Sequence, residues 1–147
     1  MNHKIPESVL VVIHTADLQV LLIERADRPG FWQSVTGSLD APDEPWIEAA
    51  ARELFEETGI VADGVTLRDW HLSNSYEIYQ VWRHRYAPGV THNTEHVFSV
   101  QVAPDVKITL SPREHLHYVW LPYLEAADQC FSSSNAEAIL QLPRRLV

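Results

Sequence analysis

This 147-residue chain carries a single cysteine, Cys130, which excludes an intrachain disulfide. One inert thiol suits a reducing cytosol better than a secreted, cross-linked scaffold. Long apolar runs are missing too. The longest, residues 9–13, is far too short to cross a bilayer, and no basic start leads into an export-type apolar segment. Basic residues are scarce, with 11 Lys and Arg against 20 Asp and Glu, for a formal charge of −9. Such a surface does not grip a nucleic-acid polymer. It is compatible with a small polyphosphate, because a bound cation reverses the local sign. The eight histidines show no compact pairing with cysteine and no HExxH helix pattern, so zinc is not expected. The reading is one soluble, cytoplasmic domain, residues 1–147, with no membrane partner and enough length to bury a core.

What the chain does have is a crowded acidic string, Arg52-Glu53-Leu54-Phe55-Glu56-Glu57-Thr58-Gly59-Ile60. On a helix, Glu53, Glu56 and Glu57 fall within an arc of ~100°. Ile47, Ala50, Ala51 and Leu54 fill an adjoining apolar arc that faces a core. Three carboxylates on one stripe repel one another, and a hard divalent cation such as Mg²⁺ relieves that repulsion with oxygen ligands. A solvated acidic face is the plainer account, but chance occurrence of so specific a string is on the order of 10⁻⁵. Arg52 and Glu56 stand four apart, so an orienting ion pair competes with any substrate contact by Arg52.

Residues 9–13 and 20–23 are dense in β-formers and read as paired strands, and 32–37 as a third strand ending in a turn. The acidic helix follows, with Pro45 suited to its first turn and Gly59 to its C-cap. Further strands are expected near 64–71, 76–86, 94–103 and 115–121, with a turn at Pro88-Gly89. Residues 133–142 read as a helix with a stripe of Ala136, Ile139 and Leu140, capped by Ser134 or Asn135. Interleaved strands and helices imply a mixed sheet covered by helices. Arg25 and Arg28 are plausible polyphosphate clamps. Trp32, Tyr76 and Tyr79 stand near strand ends, where a flat heterocycle can stack. Glu114 sits on a turn before a strand and offers a base or a further ligand from outside the helix.

The acidic string resembles the second half of the Nudix box, carried by hydrolases of nucleoside diphosphates linked to another moiety. Glu44 stands at the box distance from Arg52, whereas Gly37 lies one residue too far upstream, with Ser38 in its register. One extra residue in the loop 38–43 accounts for the offset, which weakens any role for Gly37. Other strings resemble one branch of that family: Arg83-His84-Arg85-Tyr86-Ala87-Pro88-Gly89-Val90, Asn93-Thr94-Glu95, Phe31-Trp32-Gln33-Ser34-Val35-Thr36-Gly37-Ser38, Glu114-His115-Leu116 with Trp120, and Ser134-Asn135. That branch removes pyrophosphate from dihydroneopterin triphosphate in folate synthesis and is also described as acting on dATP. The resemblance spans roughly residues 9–140.

It implies an α/β/α sandwich with a mixed sheet, a small-molecule triphosphate substrate, and Mg²⁺ with Mn²⁺ as a substitute. It also implies Glu53, Glu57 and Glu114 as metal ligands. Lys4, Arg25, Thr36, the stretch Tyr76, Glu77, Ile78 and Tyr79, and a residue around Ser133 and Asn135 are implied at the substrate. Glu56, Glu114 and Arg52 are the catalytic candidates. Two alternatives stand beside this reading: hydrolysis of dATP or another nucleoside triphosphate, and a non-catalytic module that binds a metabolite. A module of that kind has no need of three box glutamates.

Overall fold

The computed structural model describes residues 3–62 and 66–146. Its first half holds β1 (Glu7–His14), β2 (Gln19–Arg25), β3 (Trp32–Gln33), β4 (Val35–Ser38) and α1 (Trp46–Thr58). The second half holds β5 (Leu67–Glu77), a 3₁₀ turn (Gln80–Arg85), β6 (His92–Gln101) and β7 (His115–Pro122). Three short helices end it: α2 (Tyr123–Gln129), α3 (Ser133–Leu140) and α4 (Leu142–Arg145). β1 runs parallel to β6 and is covered on both faces, so its sequence is a continuous apolar run rather than an alternation. β5 pairs antiparallel with β6, and β7 antiparallel with β2.

The connection between β1 and β2 shapes the molecule. These strands pair only at His14 and Val20. Beyond that point β4 pairs with β1, from Ser8–Ser38 to Val11–Val35, while β3 pairs with β2 through Ile23–Gln33 and Glu24–Trp32. A short wedge thus stands between two neighbouring strands. Residues 32–37 were expected as one strand. They split at Ser34 because its N–H donates to the Asn135 side chain at 2.8 Å.

Two cores cover the sheet. Val9, Val11, Ile13, Leu21 and Ile23 meet Ala49, Ala50 and Leu54 of α1 on one face. Leu10, Val12, Val20 and Leu22 meet Ala126 and Ala127 of α2 and Ala138 and Ile139 of α3 on the other. Each fully buried Leu, Val or Ile adds about 1.5–3 kcal/mol, so these faces fix the strand register. The result is the α/β/α sandwich with a mixed sheet that the resemblance implied.

Local expectations fared unevenly. The strand expected at 76–86 is not one: β5 ends at Glu77, and Gln80–Arg85 coil into a 3₁₀ turn. Ile78 is buried just before the turn, and within it the Trp82 indole N–H donates to Asp27 at 3.0 Å. The strand expected at 64–71 begins at Leu67, and residues 64 and 65 lie outside the described residues. The helix at 133–142 stops at Leu140, and Pro143 lies in the first turn of the separate α4. Its cap is Ser132, whose hydroxyl accepts from the Asn135 N–H, rather than Ser134 or Asn135.

Candidate active site

α1 follows Pro45 and ends at Gly59, whose φ of 77° places it in the left-handed conformation and directs its N–H to the Phe55 carbonyl at 2.8 Å. With Ala50 and Leu54 turned into the core, Glu53 and Glu57 are carried to the neighbouring edge. Glu57 is only 2 % exposed, and its Oε1 has no hydrogen-bond partner. The nearest candidate counter-charge is His115, whose Nε2 lies 3.5 Å away. Burial holds that imidazole at a pKa of about 4, so it is neutral at pH 7 and balances nothing. Burial foremost, then Glu53, with Glu114 adding, raises the Glu57 pKa well above the carboxylate range. Glu53 is raised as well, chiefly by burial, against the pull of its bond with Glu57 and of Arg52. Without a cation, the pair therefore holds a proton to higher pH than free carboxylates do.

A buried carboxylate oxygen with no donor is costly, and a hard cation is the chemistry that would satisfy it. Among the described residues, no three His, Cys, Asp or Glu side chains stand together as a complete cage. Glu53 and Glu57 could supply part of the shell of a divalent cation, with water and substrate phosphate as the remaining oxygen ligands. Gly37 has a clear place here, contrary to the expectation from its offset. A Cβ at Gly37 would fall on the Glu53 carboxyl group. The glycine lets that carboxylate lie against β4.

Arg52 is a hub of ion pairs. Its guanidinium reaches Glu53 at 2.7 Å, Glu44 at 3.0 Å, Asp40 at 3.1 Å and Glu56 at 3.4 Å, and donates to the Ser38 carbonyl at 3.1 Å. It ties the loop 39–45 to α1 and orients Glu53. Glu56 is exposed and points to Arg52, and neither Arg52 nor Glu56 is among the residues lining the cleft described next.

A cleft of about 990 Å³ opens beside Glu53 and Glu57. Lys4, Arg25, Thr36, Tyr76, Glu77, Ile78, Tyr79, Ser133 and Asn135 all line it, as does Glu114 from the turn before β7. A bulge between Ile23 and Arg25 re-aims Arg25 toward it. Asp27 holds Arg25 through two bonds of 2.8 and 2.9 Å, and receives Trp82 and Arg85 at 3.0 and 3.1 Å. Those donors, Arg25 first, depress the Asp27 carboxyl far below its usual range. Burial of its ammonium, with Arg85 and Arg25 nearby, lowers the Lys4 pKa. Lys4, Arg25 and Arg85 thus make a cationic mouth to an acidic site. Arg28 lies over the Phe31 ring instead and does not line the cleft.

The aromatic wall differs from the one expected. Trp32 packs against the core on the α2–α3 side, while Phe31, Tyr79, Trp82 and Phe131 form one cluster of ring contacts. Tyr79, Trp82 and Phe131 face the cleft. Sequence reasoning also missed Asn93 and Glu95, buried to 1 % and 4 % exposure in the cleft wall. The sequence carried no distinct signal for them, because His92-Asn93-Thr94-Glu95-His96 is an unbroken polar run with no alternation to mark the buried face.

A buried carboxylate with an unpartnered oxygen, Glu57, beside the Arg52-held Glu53 and reached through a cationic mouth on an α/β/α sandwich, suits an enzyme that takes polyphosphates through a divalent cation. The chain belongs to the Nudix family, whose NUDIX domain matches residues 4–142, and members of this family generally use a divalent metal. It is 45% identical over 142 residues to the dihydroneopterin triphosphate diphosphatase of Escherichia coli K12, covering 95% of this chain and 93% of that one. The Haemophilus influenzae protein of the same name is 41% identical over 142 residues, covering 95% and 88%. In structure it resembles the E. coli dihydroneopterin triphosphate pyrophosphohydrolase, with a TM-score of 0.87 and 44% identity over 96% of this chain and 97% of that one.

Proposed function

We propose that this Nudix enzyme hydrolyses dihydroneopterin triphosphate, with water entering as the triphosphate is cut to dihydroneopterin monophosphate and pyrophosphate. The observation that carries the reading is the likeness, along nearly the whole chain, to relatives named for a diphosphatase acting on that compound. It is a pyrophosphohydrolase of phosphoanhydride bonds, and we read residues 1–147 as one such domain working in the cytoplasm. No described helix is long and apolar enough to cross a membrane.

Glu53 and Glu57 would hold the cation, for which we assign Mg²⁺, with Mn²⁺ as a substitute. When bound, that ion supplies charge neutralisation for the phosphoryl oxygens. Lys4 and Arg25 anchor the polyphosphate at the mouth. Asp27 keeps the Arg25 guanidinium in one orientation, so little rotamer entropy is lost when a phosphate arrives. Thr36 is fixed by its own bond to the Val9 carbonyl at 3.0 Å, which aims the wedge residues at the same space. Glu114, exposed in the cleft wall, takes a proton from water or adds an oxygen to the cation. Arg52 acts by positioning Glu53, and Glu56 by steadying Arg52. Ser133, Asn135 and the stretch 76–79 line the part of the cleft left for the organic half of the substrate.

Side-by-side kcat/KM values for dihydroneopterin triphosphate and dATP test this directly. The pterin compound should be the better substrate. A preference for dATP would move the assignment to a nucleotide pyrophosphohydrolase, and tight binding with no cleavage in saturating Mg²⁺ would make the protein a binding module.

A further inference from the structure

Glu95 is a carboxylate on a central strand, registered between Ser8 of β1 and Asn74 of β5, where an apolar residue is the ordinary occupant. Among the described residues, one hydrogen bond reaches it, from the Ser134 hydroxyl to Oε1 at 3.0 Å. Asn93 stands two residues before it on the same face of β6. Its amide nitrogen donates to Ser8 Oγ at 2.7 Å and to the Tyr76 hydroxyl at 3.1 Å, and its Oδ1 is buried with no partner. Glu95 and Asn93 both line the cleft, on the α3 side of the sheet, whereas Glu53 and Glu57 approach it from the α1 side.

Two buried acceptors short of donors, side by side in a cleft wall, are a costly arrangement for the protein alone. Among the described residues, Glu95 makes no ion pair that would offset the cost. Burial raises the Glu95 pKa to about 7, with the Ser134 bond opposing, which is how a carboxylate behaves when its donors are missing. A ligand that brings N–H groups would supply them. The charged half of a polyphosphate cannot, because it carries acceptors only.

Resting on the substrate reading above, we infer that Glu95, flanked by Asn93, selects the heterocycle by accepting the adjacent ring N–H and exocyclic amino group of a 2-amino-4-oxo edge. The pterin ring carries that pair of donors side by side. Adenine carries an amino group next to a bare ring nitrogen, which would face a carboxylate lone pair against lone pair. A site built to hydrogen-bond a donor rejects a ligand that lacks it far more strongly than an apolar pocket does. Ser134 takes one lone pair of Oε1 and holds the carboxylate in place, so the second lone pair of Oε1 and both of Oε2 are free for the two ring donors.

The test is the ratio of kcat/KM for dihydroneopterin triphosphate to that for dATP, in wild type and in Glu95→Gln. Glutamine keeps the shape but puts an amide NH₂ where an acceptor is required. Wild type should prefer the pterin compound, and the variant's ratio should fall by about 100-fold, in the range expected when a polar site meets a mismatched partner. A wild-type preference with an unchanged ratio in the variant would overturn the role of Glu95 and leave the substrate reading intact. No wild-type preference would overturn both. A measurement that needs no variant uses phosphate-free rings as inhibitors of wild type: pterin against lumazine, which carries oxygen where pterin has the 2-amino group. Pterin should bind at least about 10-fold more tightly, and equal binding would contradict the proposal.

Discussion

Glu57 is an ionisable residue buried like a core one. Among the described residues nothing satisfies Oε1, and in the proposed reaction a bound cation would do so. Glu57→Gln should lower kcat about 10²–10³-fold, the usual loss when one preorganised electrostatic element is removed. Chemical denaturation in EDTA should show the variant as stable as wild type or more so, because the repulsion with Glu53 is gone. Near-normal turnover at ordinary Mg²⁺ would remove Glu57 from the site. Glu114 separates two roles by kinetics. As a base, Glu114→Gln should depress kcat with little change in the Mg²⁺ requirement and alter the acidic limb of the pH–rate profile. As a ligand, it should raise the Mg²⁺ concentration needed for half activity.

At the level of elements, α1 and the wedge β3–β4 make the site together. The helix was legible because its spacing, apolar arc and terminal glycine all follow from residues within a dozen positions of one another. Gly37 was not, because its reason is a carboxylate sixteen residues away that occupies the space of its Cβ. Gly37→Ala should therefore cost activity more than stability, since the displaced group is the mobile end of Glu53. A loss of at least about tenfold in kcat with the melting temperature within a few degrees of wild type is the expected result. The turn Gln80–Arg85 was misread as strand for a related reason. Trp82 in it is held by a bond to Asp27, 55 residues away. The split at Ser34 likewise depends on Asn135, 101 residues further on. Local periodicity cannot report partners at that separation.

Across the whole molecule, the cleft draws on residues from position 3 to position 135, so the acidic string by itself reports only the Glu53 and Glu57 edge of it. The buried polar wall also leaves a mark on stability. With the Glu95 pKa raised from 4.5 to about 7, the folded state binds a proton that the unfolded chain has released in that interval. The contribution of this group is fully present below pH 4.5 and is lost as pH rises through 7. Relative to Glu95→Gln, which does not titrate, wild type should lose on the order of 3 kcal/mol between pH 4.5 and pH 8, as read from urea unfolding at the two pH values in EDTA. A constant difference between the two proteins would show that Glu95 is solvated.

The central claim concerns which bond is broken, and phosphorus NMR of the products answers it. Purified protein with Mg²⁺ and dihydroneopterin triphosphate should yield pyrophosphate and dihydroneopterin monophosphate in equal amounts, with no early orthophosphate. Orthophosphate and dihydroneopterin diphosphate as the first products would contradict the assigned reaction.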